Sequence, residues 1–449
     1  MRITSLEAWI AEKIDSAGLP LRQKDLEAYQ LERLRQVVEM ARQSSPFYRQ
    51  HLQGVEVAQL QSRQDLCRLP FMNAGHLMYH PQHLLCQHPG KISRVVSLAS
   101  SGTTGSCKRI YFTPSDQELT LDFFHRGMET LASPGDCALL LFPGRRPGGL
   151  NDLLSSALGR LGVRACLPPG ADPDQVLDFI SREKVNLLIG PPVAVLTLAR
   201  WRSQMASEGL LRILLSADYV PQALVQAVED AWDCEVFQHY GMTEMGLGGG
   251  VECAAHHGYH FREADLLLEI IDPDSSRPVA DGQSGELVFT TLTREGMPLI
   301  RYRSGDITRF ITEPCPCGST LQRVDKVKGR LGAKAELGWG SLSLQELDEK
   351  LFILEGVVNF SACLHQKDDK VRLCLEVETS ERATLSSRQV LDILTGIPAI
   401  GQGMAQGRLE VKLQVSSLKT APWLYQEKRT LEDLRNNRMP GTKPKRKRG

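Results

Sequence analysis

The sequence predicts an α/β protein: a large N-terminal domain of mixed sheets with helices, followed by a small C-terminal α+β domain. Three observations carry this. The chain has 449 residues, more than one compact core holds at about 100–200 residues per domain. Between residues 93 and 310, short β-rich runs alternate with amphipathic segments, the pattern of a sheet with parallel strands. Near Gly329 the texture changes, and residues 341–433 read as interleaved helices and strands. The expected division is residues 1–328, residues 329–435, and a basic, disordered tail at 436–449.

Taken in order, residues 22–52 place Leu26, Tyr29, Leu31, Leu34, Val37, Val38, Met40 and Ala41 at helical spacing. The helix should stop at Ser45-Pro46, because proline disfavours the α conformation in the residue before it. Arg94–Leu98, Cys137–Phe142, Asn186–Ile189, Arg212–Ser216 and Glu235–His239 read as strands, with helices at 173–183 and 221–232 between them. Leu266–Ile271 and Gly285–Thr291 read as antiparallel strands, with turn signals at Asp272-Pro273-Asp274 and Asp281-Gly282. The C-terminal region then predicts a helix, strands Val357–Leu364 and Val371–Val377, helix Ser387–Leu394, strand Arg408–Val415 and a terminal helix.

Composition excludes several classes. The chain is 42% hydrophobic and 24% charged, which suits a globular protein and not a disordered or collagen-like one. Its 53 basic and 53 acidic residues cancel, so no overall field draws it to nucleic acid or an anionic membrane. Lys443, Lys445, Arg446, Lys447 and Arg448 concentrate positive charge in the tail and leave the body acidic. No segment reaches the ~18 consecutive apolar residues of a membrane span. The first residues lack the basic and apolar regions of a signal peptide, so a reducing cytoplasm is the expected compartment. Eleven cysteines scattered over this length do not form a disulfide framework, and eight of them read as small hydrophobes.

Chemistry concentrates in four places. The segment from Ser97 to Lys108 interleaves Ser100, Ser101, Thr103 and Thr104 with Gly102 and Gly105 and follows a β-like run. Its N–H groups and hydroxyls can converge on phosphate oxygens while Lys108 supplies charge. It is not a Walker A loop, and by itself it also reads as a plain turn. Tyr240-Gly241-Met242-Thr243-Glu244 and Arg301-Tyr302-Arg303-Ser304-Gly305-Asp306 follow in order; taken singly, Tyr240 reads equally as core packing and Asp306 as a turn cap. Finally, Cys315 and Cys317 form a thiolate pair, and Cys253 precedes His256, His257 and His260. Three cysteines and one histidine fit a closed tetrahedral structural zinc site, with His260 the favoured imidazole and His257 its substitute.

The Ser/Thr/Gly loop, the Tyr240–Glu244 segment and the Tyr302–Asp306 segment together resemble the three signatures of the adenylate-forming superfamily. Ser45-Pro46-Phe47-Tyr48-Arg49, Glu252-Cys253 and Ile300-Arg301-Tyr302-Arg303 most resemble its phenylacetate-CoA ligase branch, over residues 30–433. The resemblance implies ATP, Mg2+ and coenzyme A as cofactors, with a structural Zn2+ in some branch members. It implies that Tyr240 packs on adenine beside Ser216, Ala217 and Asp218, with Gly241 and Arg330 also in the nucleotide site. Thr243 would bond the α-phosphate, Glu244 would hold Mg2+, and Asp306 would accept from the ribose hydroxyls. Lys428 would bridge carboxylate and phosphate during adenylation. Relatives place a glycine-rich wall of the aryl pocket where this chain has Leu141–Leu150, and Gly241 with Gly246–Gly250 would form the opposite side, although a flexible loop reads identically. Arg145 and Arg146 read as partners of an acidic substrate or as a solvated face.

Three departures qualify the pattern. Gly329-Arg330-Leu331-Gly332-Ala333-Lys334 lacks the two acidic residues of the family hinge about which the mobile small domain turns. Ser106-Cys107 and Gln426-Glu427 replace the usual residues in the phosphate loop and before Lys428. The implied activity is conversion of a small carboxylic acid, aromatic by the resemblance, to acyl-AMP and then to its CoA thioester. Adenylyl transfer without CoA and a catalytically silent nucleotide-binding regulator stay open as alternatives. The expected partner is a small-molecule acid, with no nucleic acid and no membrane, and a homodimer is left open.

Overall fold

The computed structural model describes residues 3–16, 18–99, 107–201, 209–380, 385–418 and 429–435. Helix α1 (Ser5–Lys13) buries Leu6, Trp9 and Ile10. Helix α2 (Gln23–Ser44) buries Leu26, Leu34, Val37, Val38 and Ala41, the stripe its periodicity predicts. Ser45 is extended, and Pro46 opens a second short helix, α3 (Pro46–His51), whose first free N–H groups Ser45 caps through the Tyr48 amide at 3.2 Å.

Strands β1 (Arg94–Ala99) and β2 (Cys107–Phe112) form an antiparallel ribbon of their own. This corrects the expectation that Arg94–Leu98 joins the parallel sheet. The connection between them is far shorter than the dozen or more residues a parallel crossover requires.

Helix α4 (Pro114–Met128) leads into the parallel block: β3 (Cys137–Leu140), α5 (Leu150–Arg160), β4 (Arg164–Cys166), α6 (Pro173–Arg182), β5 (Leu187–Gly190), α7 (Pro192–Trp201), β6 (Arg212–Leu215), α8 (Gln222–Trp232) and β7 (Glu235–Tyr240). The strands pair in parallel in the order β4-β3-β5-β6-β7. All four residues of β3 and of β5 are buried, because helices cover both faces.

The direction then reverses. Strands β8 (Gly250–Glu252) and β9 (Tyr259–Phe261) extend the sheet antiparallel beyond β7. Strands β10 (Leu266–Ile271), β11 (Gly285–Thr291) and β12 (Tyr302–Thr308) form a second, antiparallel sheet as predicted. β13 (Phe310–Ile311) and β14 (Arg323–Val324) return to β9, and β15 (Gly329–Arg330) pairs with β12. Gly329 and Arg330 thus still belong to the second sheet.

The C-terminal part begins with a short hairpin, β16 (Ala335–Glu336) and β17 (Ser341–Leu342), and helix α9 (Leu344–Leu351). Strands β18 (Val357–Lys367) and β19 (Lys370–Thr379), helices α10 (Ser387–Leu394) and α11 (Pro398–Ala405), and strands β20 (Leu409–Ser417) and β21 (Leu431–Asp433) follow. The sheet order is β20-β19-β18-β21. Helix α11 escapes the sequence pattern because Gly401 and Gly403 interrupt its apolar spacing. Both glycines are sites of close approach: a Cβ on Gly401 would meet the Thr395 carbonyl at 2.4 Å, and one on Gly403 the Trp339 ring at 2.8 Å. The end of the predicted terminal helix is also corrected, since residues 431–433 form a strand, while residues 419–428 lie outside the described residues. Leu431, Glu432 and Asp433 pair in parallel with Ala362, Cys363 and Leu364, giving the edge of β18 its missing hydrogen bonds.

One apolar core runs from Leu188, Val195 and Leu224 to Leu347, Phe352 and Leu373. Polar bonds reinforce the contact: Tyr219 donates to Glu349 at 2.6 Å, and Arg200 donates to the Phe352 carbonyl at 2.7 Å and to that of Val357. Among the described residues, no helix is long and apolar enough to cross a membrane.

Candidate active site

Strand β7 pairs in parallel with β6 on one side and antiparallel with β8 on the other. Open α/β sheets bind ligands outside the carboxyl ends of their strands, and β6 and β7 end side by side here. Tyr240 is the last residue of β7, and Ser216, Ala217 and Asp218 directly follow β6. Ala217 takes a left-handed backbone at φ 77°, a turn conformation uncommon outside glycine. The Tyr240 hydroxyl donates to Asp306 Oδ2 at 2.6 Å, and its ring lies beside Tyr259 and Phe261. Asp306 Oδ1 is 3.0 Å from Arg330 Nε, because the register of β12 and β15 sets those residues opposite each other.

Past Gly241 the chain makes a single 3-10 turn, Thr243–Met245, which carries Glu244 inward. Lys108, on β2, donates to Glu244 Oε1 at 2.5 Å, and the Tyr302 hydroxyl donates to the same oxygen at 3.2 Å. Burial would raise the Glu244 carboxyl, but Lys108 and Tyr302 outweigh it and hold the group below its ordinary value. Arg294 anchors the turn by donating to the Glu244 carbonyl at 2.9 Å. The structure therefore brings Lys108, Tyr240, Glu244, Asp306 and Arg330 together. Thr243 opens the turn, and Ser216 and Asp218 lie at its neighbouring strand end. Ser100, Ser101, Gly102, Thr103, Thr104, Gly105 and Lys428 lie outside the described residues.

Two glycines of the expected acid pocket are fixed by packing. A Cβ on Gly241 would meet the Leu247 carbonyl at 2.2 Å, and one on Gly248 the Phe123 ring at 2.4 Å. Arg145 donates to the Pro168 carbonyl at 3.3 Å, which gives it a structural partner.

Sequence reasoning missed two residues at this site. His239 shares a bond of 2.8 Å between Nδ1 and Ser216 Oγ, its ring lies near Phe123 and Phe124, and its buried Nε2 has no partner. Burial first, and then Arg262, push its pKa down to about 4, so the imidazole is neutral. Arg429, adjacent to Lys428, reaches Asp348 at 2.7 Å and lies 3.8 Å from Asp218. A histidine inside an apolar strand run and an arginine in a charged C-terminal stretch carry no spacing signal. Only the fold gives them partners.

The metal candidates converge separately. Cys253, His260, Cys315 and Cys317 are all buried, and their ligand atoms lie within 4.8 Å of one another. Cys253 Sγ is 3.7 Å from Cys315 Sγ, and Cys317 Sγ is 3.6 Å from His260 Nε2. A tetrahedron with metal–sulfur bonds of about 2.3 Å has edges of about 3.8 Å, so the donor set fits zinc in both chemistry and spacing. Burial first, and then Arg323, push the His260 pKa down to about 4, which keeps the ring a neutral donor. His257 instead faces Arg323, and His256 faces Glu235 and Glu252. The other eight thiols are less uniform than their sequence contexts suggest: Cys86 and Cys137 are buried, Cys67 and Cys107 are exposed, and Cys166, Cys234, Cys363 and Cys374 are half-buried. Strand alternation and loop position, which run composition does not reveal, put them there.

Comparison with known proteins gives this geometry its family. Residues 95–292 match the AMP-binding enzyme family. The phenylacetate-coenzyme A ligase of Thermus thermophilus is 32% identical over 322 residues, which is 69% of this chain and 71% of that protein. Among solved structures, 2-hydroxyisobutyryl-CoA ligase in its postadenylation state with 2-HIB-AMP aligns with a TM-score of 0.74 at 22% identity, over 92% of this chain and 90% of that one. The same ligase with 2-HIB-AMP and CoA in its thioesterification state gives 0.63 at 23% identity, over 92% and 91%. The fold is thus that of adenylate-forming CoA ligases, and by its similarity to the Thermus enzyme the chain belongs to the phenylacetate-coenzyme A ligase family.

Proposed function

We propose that the protein is an AMP-forming acid–thiol ligase: it activates a small, aromatic carboxylic acid with ATP and transfers the acyl group to coenzyme A. The observation that carries this is the convergence of Lys108, Tyr240, Glu244, Asp306 and Arg330 at the carboxyl end of β7. Tyr240 offers adenine an aromatic face, and Asp306, as an ionised acceptor, suits the ribose hydroxyls. Glu244 and Lys108 suit the phosphates. Glu244 fits Mg2+, since its carboxylate is ionised and both of its bonds fall on Oε1. When bound, that ion neutralises phosphate charge.

The acid oxygen attacks the α-phosphorus and pyrophosphate leaves. Lys428 offsets the negative charge that develops there. The CoA thiol then attacks the acyl carbonyl and AMP leaves. Cys253, His260, Cys315 and Cys317 would hold a structural zinc with no open position for chemistry. The division near Gly329 makes the C-terminal part the moving one, with Gly329 and Gly332 as its pivots in place of the acidic pair.

The test is pyrophosphate release over a panel of aryl and short-chain acids, with AMP formation followed with and without CoA. Acid-dependent release, with thioester formed only when CoA is present, supports the reading. Turnover indifferent to CoA points to adenylyl transfer alone.

A further inference from the structure

Strands β18 and β19 alternate cleanly. Ala362, Leu364, Leu373 and Leu375 are buried, while Ser361, Cys363, His365, Arg372, Cys374 and Glu376 face outward. An outward sheet face normally carries charged and hydroxyl side chains, and its neighbours here, Lys412 and Glu410, conform. The two half-buried thiols and the imidazole are the exception. Cys363 and Cys374 are direct cross-strand partners, and His365 stands two residues along on the same face. Cys363 Sγ is 3.4 Å from His365 Nε2, and the three ligand atoms lie within 4.8 Å of one another. These separations resemble those of the buried cluster at Cys253.

We propose that Cys363, His365 and Cys374 form a second, surface metal site for a thiophilic divalent cation such as Zn2+. Two thiolates and an imidazole are the donors such an ion selects. Water completes the tetrahedron, and Glu432, the Cα partner of Cys363 on β21, adds negative charge beside the site. An ion held this way clips β18 to β19 across the Cys363–Cys374 pair, beside β21, the strand that follows Lys428 and Arg429. A disulfide between the thiols would explain their pairing but not the imidazole of His365 at 3.4 Å from Cys363 Sγ.

The experiment is a Co2+ titration of the full chain after chelator treatment under reducing conditions, followed by thiolate-to-metal charge-transfer absorption. Wild type should bind one equivalent more than Cys363→Ser/Cys374→Ser. The buried cluster is common to both proteins, so its behaviour cancels in the difference. His365→Gln, with both thiols kept, should weaken the added equivalent tenfold or more, and this reads the site even if the double variant fails to fold. Equal stoichiometry in wild type and double variant overturns the proposal, as does unchanged affinity in His365→Gln. So does a Cys363–Cys374 disulfide in protein isolated without reductant that persists when metal is supplied. None of these results bears on the ligase reading, which rests on other residues.

Discussion

Arg429 Nη1 lies 2.7 Å from Asp348 Oδ1, with the arginine side chain 9% exposed and the aspartate fully buried. The guanidinium also lies over the rings of Phe352 and Phe360, at 5.2 Å from each, and its Nε is 3.8 Å from Asp218. That last distance is a charge contact and not a hydrogen bond. Arg429 therefore ties the residue beside Lys428 both to α9 and to the segment after β6. Arg429→Met should cost about 3 kcal/mol in denaturant unfolding, because it strands a buried carboxylate. Adding Asp348→Leu should restore most of the loss, and a double variant as unstable as the single would contradict this account.

Glu263 supplies a pH signature. Burial raises its pKa to about 7 against the opposing pull of Arg63 and the Gln322 amide, which donates to it at 2.9 Å. The unfolded group titrates near its ordinary value of 4.5. Between those two values the folded protein holds the extra proton, so stability falls as pH rises through that window, by up to about 3 kcal/mol. Glu263→Gln keeps an acceptor for Gln322. It should be close to neutral at pH 4.5 and stabilising above pH 7, as read by thermal unfolding across pH.

The nucleotide contacts separate by kind. Tyr240→Phe keeps the aromatic face and loses one hydrogen bond, so the KM for ATP should rise about fivefold. Asp306→Ala removes a charged acceptor and should raise it tenfold or more, with smaller effects on the KM for the acid.

Glu244→Gln and Lys428→Ala both test the first half-reaction, and Lys428→Ala also separates it from the second. Each should lower acid-dependent pyrophosphate release about 100-fold or more. Thioester formation from preformed acyl-adenylate should survive Lys428→Ala. Equal loss of both steps in that variant would remove the role assigned to the lysine.

Cys317→Ser should remove one zinc equivalent from the isolated protein and lower its Tm by about 5 °C or more, since a closed site contributes its binding energy to folding. Elemental analysis and calorimetry on the same preparation check both.

Much of this protein was legible as sequence because its signals are local. The α2 stripe, the break at Ser45-Pro46, the parallel strands and the Tyr240–Glu244 and Tyr302–Asp306 segments each follow from short-range periodicity or from a fixed order of residue types. Register, strand alternation and edge pairing are not local. They moved β1 out of the main sheet and made residues 431–433, the end of the expected terminal helix, the strand β21. They chose His260 over His257, because β9 aims it at Cys317 while Arg323 engages its neighbour. They also set Asp306 against Tyr240, joined Arg429 to Asp348, and turned Cys363 and Cys374 toward His365. Which chemical groups the chain carries, and in what order, is written in its residues alone. Which of them meet is set by the fold, because a contact between residues far apart depends on how two elements share a face and not on either element alone.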